Sequence, residues 1–142
     1  MLRKMLSVTT VSFALATSAL AAPADDATAH FNAIAAGDVG AIMQQYGPQP
    51  ILEWVGGPLD GTYIGIDKVR ETWSKFTKGS PNLKVSVDKV EESANPKGTT
   101  VTANVVFQGQ NAIKVRYVLT FRDGKIIDEI WQIDPKLAAA AY

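Results

Sequence analysis

Residues 37–65 read GDVGAIMQQYGPQPILEWVGGPLDGTYIG, and their punctuation decides the fold. Gly37 stops one helix and Asp38 caps the next. That second helix carries Ile42, Met43 and Tyr46 as its apolar stripe and is read as ending at Tyr46, because Pro48 and Pro50 forbid its continuation. Ile51–Val55 is rich in β-formers. Gly56-Gly57-Pro58 and Asp60-Gly61 are turn chemistry, and Thr62–Ile64 is a brief return strand. Upstream, Asp25 to Ala36 reads as a helix, with Ala27, Phe31, Ile34 and Ala35 at helical spacing and Asp25 and Asp26 at its favourable end. Downstream, Asp67 opens a helix with Val69, Trp73 and Phe76 on one face, ended by Gly79 and Pro81.

After that helix the period changes from helical to alternating. Leu83, Val85 and Val87 share a face. So do Val101, Ala103, Val105 and Phe107, and so do Ile113, Val115, Tyr117, Leu119 and Phe121. Polar residues occupy the opposite faces, as expected of an antiparallel meander half-buried on one side. The last run, Lys125 to Asp134, has two possible registers. A tight two-residue turn at Asp123-Gly124 points Ile126, Asp128, Ile130 and Gln132 inward. A turn with Gly124 as a left-handed bulge points Ile127, Glu129, Trp131 and Ile133 inward. The second set is the more apolar, so the bulged register is the expectation.

The chain has 142 residues. Arg3 and Lys4 form a basic head before the apolar run Met5–Leu20, and Ala19-Leu20-Ala21 offers small residues where a signal peptidase cuts. Residues 1–21 are therefore read as a secretory signal and residues 22–142 as one domain, periplasmic or secreted, with no membrane attachment after cleavage. The whole chain has 14 basic and 14 acidic side chains; without Arg3 and Lys4, 12 face 14, a net charge of −2. The basic residues are scattered, which points away from nucleic acid. There is no cysteine, so packing alone must hold the fold, and a single histidine excludes a multi-histidine zinc site. No metal or other cofactor is implied.

Gly37-Asp38-Val39 leading to Tyr46, Gly65 before the third helix, and Phe121-Arg122-Asp123-Gly124-Lys125-Ile126 give the sequence a resemblance to the nuclear transport factor two-like superfamily. That superfamily includes the ketosteroid isomerases and the SnoaL-like polyketide cyclases. The resemblance implies an α+β fold, three N-terminal helices packed on a strongly curved antiparallel sheet, the cystatin-like or SnoaL-like cone, with an apolar pocket inside. It also implies positions. The isomerases' oxyanion-binding Tyr corresponds to His30, their general-base Asp to Trp54, and their second oxyanion donor to Tyr117. Two pocket-wall positions correspond to Glu129 and Ile133. A dienolate needs a carboxylate to shuttle its proton and indole cannot do that, so ketosteroid isomerase activity is not expected.

Three functions remain open. The first is binding of a small hydrophobic or aromatic molecule, with Trp54, Trp73, Phe76, Phe107, Trp131 and Ile133 as the wall of the pocket. The second is lyase or isomerase chemistry, in which His30 and Glu129 exchange a proton and Tyr117 stabilises an oxyanion. The third is a non-catalytic homodimer joined through the outer sheet face (Val106, Lys114, Arg116, Val118, Ile126, Ile130). Each site residue also has a plainer role. Glu129 could face solvent or pair with Arg116, His30 could be a surface histidine, and the aromatics could simply be core.

Overall fold

The computed structural model describes residues 22–138, together with Ser12, so the signal expected over residues 1–21 lies outside the described residues. The first helix, α1 (Pro23–Ala36), has a proline in its first turn, where the missing N–H costs nothing. Its buried side is Ala27, His30, Phe31, Ile34 and Ala35. In α2 (Val39–Gln44) the Asp38 carboxylate accepts the Ala41 N–H at 3.0 Å, a cap worth about 1 kcal/mol.

The second helix ends two residues earlier than expected, and strand β1 (Tyr46–Val55) runs through both prolines. Prolines can sit there because the ladder is interrupted. Against the last strand Tyr46 pairs with Ile126 and Ile51 with Asp128, so residues 47–50 lie in a bulge where no donor is missed. A short strand, β2 (Gly61–Ile64), pairs back on β1 and leads into α3 (Ile66–Gly79), which buries Val69, Thr72, Trp73 and Phe76. Burying large side chains of this kind is worth roughly 1.5–3 kcal/mol each, which is what docks α3 on the sheet. The remaining strands are β3 (Lys84–Asn95), β4 (Gly98–Gln108), β5 (Ala112–Arg122) and β6 (Lys125–Ile133).

These strands form one curved, unclosed six-stranded sheet in the order β2-β1-β6-β5-β4-β3. The antiparallel expectation needs correction at one seam, because β1 and β6 run parallel. The chain leaves β1 through β2 and α3, builds the meander β3–β6, and returns beside β1 in the same direction. Adjacency of that kind cannot be read from periodicity. Two of the helices precede the sheet and α3 is inserted after its first strand pair.

The β5–β6 hairpin also differs from expectation. Its turn is the tight one: Arg122 pairs with Lys125, and Asp123 (φ 50) and Gly124 (φ 72) take the left-handed conformations that match strand twist. The bulge lies further along. Phe121 pairs with Ile126 and Thr120 with Asp128, leaving Ile127 unpaired. Ile126 and Glu129, three residues apart, are therefore both fully buried, while Asp128 is exposed and Ile127 only half-buried. Counting apolar residues chose the correct face for Glu129 and Trp131 but could not locate the extra residue. The outer face assumed for a dimer changes accordingly. Ile126 belongs to the core, Val106 is buried, and of the apolar side chains there Ile130 is exposed at 36 %.

Candidate functional site

Four elements converge on the Glu129 carboxyl group. α1 supplies His30, the start of β1 supplies Tyr46, β5 supplies Tyr117 and α3 supplies Trp73. His30 Nε2 lies 2.7 Å from Glu129 Oε2, Tyr117 donates its hydroxyl to the same oxygen, and Tyr46 donates to Oε1. The Trp73 indole N–H in turn donates to the Tyr46 hydroxyl at 2.7 Å. His30, Tyr117, Glu129 and Trp73 are fully buried and Tyr46 nearly so. A buried carboxyl group is tolerable only when such donors replace its water, and removing one member of a buried pair typically costs about 3–5 kcal/mol. Arg116, the other partner considered for Glu129, donates instead to the Asn104 side chain at 2.9 Å.

The cluster sets its own electrostatics. Burial first, and then the negative Glu129 beside them, push the pKa values of both Tyr46 and Tyr117 well above the ordinary phenol value. Both hydroxyls are held as donors. His30 Nδ1, on the far side of the ring, is buried with no hydrogen-bond partner among the described residues. Around it stand the Tyr46 and Trp73 rings, edge-on at 5.5 and 6.1 Å, and Phe31 at 6.5 Å.

The aromatics expected to wall an open pocket are instead packed on one another. Trp131 stacks on Trp54 (4.3 Å between ring centres, 22°) and on Phe107 (5.1 Å, 16°), and meets Trp73 and Phe76 edge-on. Trp73 and Phe107 are entirely buried and serve as core. This corrects the expectation that all the aromatics would line one hollow, since offset and edge-to-face contacts within the group satisfy it without a ligand. The remaining members reach the wide end of the cone. Trp54, Phe76, Trp131 and Ile133, with Leu59 and Lys75, line a cleft of about 360 Å³. Beside it lies a second cleft of about 590 Å³, lined by residues of the α3–β3 and β4–β5 connections and sharing Gly79, Ser80 and Ile113 with the first.

The sequence therefore pointed at two different places. His30, Tyr117 and Glu129 meet in the sealed interior, and Trp54, Phe76, Trp131 and Ile133 meet at the mouth. Trp131 spans the two, packing against Tyr117 at 5.8 Å while forming part of the cleft wall. Tyr46, read as helix-end core, is the member of the polar cluster that sequence reasoning missed. The available signal was that a buried tyrosine hydroxyl needs a partner, and the surplus buried carboxyl was Glu129. Among the described residues no group of three or more His, Asp or Glu side chains is placed to hold a metal ion, and no helix is long and apolar enough to cross a membrane.

Comparison with known proteins agrees with this geometry. The family model for the SnoaL-like domain matches residues 27–129. A Nostoc punctiforme protein of unknown function with a cystatin-like fold superposes with a TM-score of 0.67 at 14 % identity, over 80 % of this chain and 89 % of that one. A candidate dehydratase of the NTF2-like family from Streptomyces avermitilis gives 0.60 at 16 % identity, over 78 % and 92 %. A candidate polyketide cyclase from Sinorhizobium meliloti gives 0.53 at 17 % identity, over 76 % and 94 %. At these identities the likeness establishes the fold alone. No curated protein matches the sequence.

Proposed function

The chain belongs to the SnoaL-like domain family, and from that premise we propose that it binds a small hydrophobic or aromatic molecule where the helices meet the concave sheet. The observation that carries this reading is the cleft of about 360 Å³ floored by Trp54, Phe76 and Trp131 and edged by Leu59 and Ile133. Small-molecule sites typically measure roughly 300–1,000 Å³ and are lined mainly by apolar and aromatic side chains. The aromatic side chains of the lining are held in place by packing on one another, so little order is lost in the wall when a ligand binds.

Titration with naphthol tests the reading. Saturable quenching of tryptophan emission is expected in the natural chain, with strong weakening in Ile133→Trp, where the larger side chain fills the cleft. Absence of saturable quenching in the natural chain would end the proposal.

A second reading, lyase or isomerase chemistry through His30, Glu129 and Tyr117, is favoured by the unpartnered His30 Nδ1 and by the names of two fold relatives. It requires a substrate to reach groups that are wholly buried, whereas binding at the mouth does not. Glu129→Gln separates the two readings. A binder keeps its naphthol affinity in that variant, and an enzyme loses turnover.

Export belongs to the same proposal. The chain's basic head, apolar run and Ala19-Leu20-Ala21 support cleavage after Ala21. Intact mass of the protein recovered outside the cytoplasm should correspond to a chain starting at Ala22, and a full-length mass would contradict it.

A further inference from the structure

Two unlike clefts lie side by side and share Gly79, Ser80 and Ile113. The first is aromatic, as described. Among the residues lining the second are Asn82, Gln110 and Asn111, and no charged side chain is among them. Among the described residues these exposed carboxamides make no side-chain hydrogen bond, so each offers both donors and an acceptor. Gly79 belongs to both walls. It is the last residue of α3 and does not have the positive φ that calls for glycine at a helix end, since Ser80, at φ −134, is the cap. A Cβ built at Gly79 would meet no atom within 4 Å. Neither backbone conformation nor crowding accounts for this glycine, which as a helix residue is less stable than alanine. The space its side chain would take is open and borders both clefts.

We infer that the two clefts act as one bipartite site, joined at Gly79, for a molecule with a flat apolar head and an uncharged, hydroxyl-bearing tail, of the aryl glycoside type. The head lies against Trp54, Leu59, Phe76 and Ile133, and the tail lies between the α3–β3 and β4–β5 connections, where Asn82, Gln110 and Asn111 read it. Carboxamides suit such a tail because hydroxyl groups donate and accept alternately, as carboxamides do. An anionic tail would find no cation in that wall, and the cation nearest the head, Lys75, is already paired with Glu71 at 3.1 Å. The inference rests on the binding function proposed above and specifies its ligand.

Calorimetric titration with naphthol, naphthyl glucoside and naphthyl sulfate tests it. The glucoside should bind roughly tenfold more tightly than naphthol, the advantage expected of two or three neutral hydrogen bonds, and the sulfate should gain nothing over naphthol. In Gly79→Leu, whose side chain enters the open space bordering both clefts, and in Asn111→Ala, which removes part of the tail's wall, the ratio of glucoside to naphthol affinity should fall toward one. Thermal melts establish that each variant is folded. Naphthol binding with no glucoside preference, a preference for the sulfate, or a ratio unmoved in both variants overturns the bipartite site while leaving the binding function standing. Binding of none of the three probes overturns both.

Discussion

Glu129 shows how one buried polar side chain can organise residues far apart in sequence. Its oxygens take hydroxyl hydrogens from Tyr46 and Tyr117 and face His30 at 2.7 Å, and the Trp73 indole completes the chain by donating to Tyr46. The arrangement has a consequence in alkali. Both phenols have folded-state pKa values above their unfolded value of about 10. Below pH 10 the folded and unfolded chains hold these protons equally and the contribution to stability is fully present. As pH rises from 10 toward the folded values, the unfolded chain releases protons that the folded chain retains, so stability falls by about 1.4 kcal/mol per pH unit for each tyrosine. Urea unfolding at about pH 9 and about pH 11 should show this decline, and Tyr46→Phe or Tyr117→Phe should each remove about half of it. If the phenolate absorbance of all four tyrosines developed near pH 10 with the fold intact, the cluster would not be as closed as described.

At the scale of the element, β6 is the strand on which the site depends. The tight turn at Asp123-Gly124 fixes the hairpin's start, and the unpaired Ile127 then rephases the strand so that Glu129 and Trp131 face inward. Deleting Ile127 removes the extra residue and leaves the flanking pairs as they stand, Phe121 with Ile126 and Thr120 with Asp128, so Glu129 and Trp131 stay inward. Retained cooperative unfolding, followed by circular dichroism, with a loss of about 1–2 kcal/mol from the half-buried side chain, is the expected result. Gly124→Ala acts on the turn alone. The left-handed conformation there should cost about 1–2 kcal/mol in a urea melt without altering the register. A deletion variant that no longer unfolded cooperatively would show that the strand's phase rests on more than the one extra residue. The β-bulges at Ile127 and near Lys89, and the interrupted β1 ladder, fall where the sheet must bend.

At the scale of the molecule, the curved sheet and the helices enclose a packed aromatic and polar interior, and the two clefts lie beside the end of α3. Interiors of this kind pack to nearly crystalline density, so the large rings available from Trp54, Trp73, Phe76, Phe107 and Trp131 fill the cone's own volume. Where α3 ends, at Gly79 and Ser80, the helix layer stops short of the sheet and leaves space. The position of the cleft proposed as a binding site thus follows from the length of one helix, and the ligand predictions above belong to this scale.

The sequence by itself determined the element order, the faces of β4 and β5, the helical stripe Val69-Trp73-Phe76 and the family, because period, caps and turn residues are local properties of the chain. It also singled out His30, Tyr117 and Glu129, although the meeting of His30 with Glu129, 99 residues apart, was implied there only through resemblance. The tertiary structure decided the parallel β1–β6 seam, the place of the β6 bulge, the recruitment of Tyr46, and which aromatics are core and which are wall. Each of these depends on which side chains compete for the same enclosed volume and the same hydrogen-bond partners. That competition arises only when distant segments are brought together, and no local pattern in the chain records its outcome.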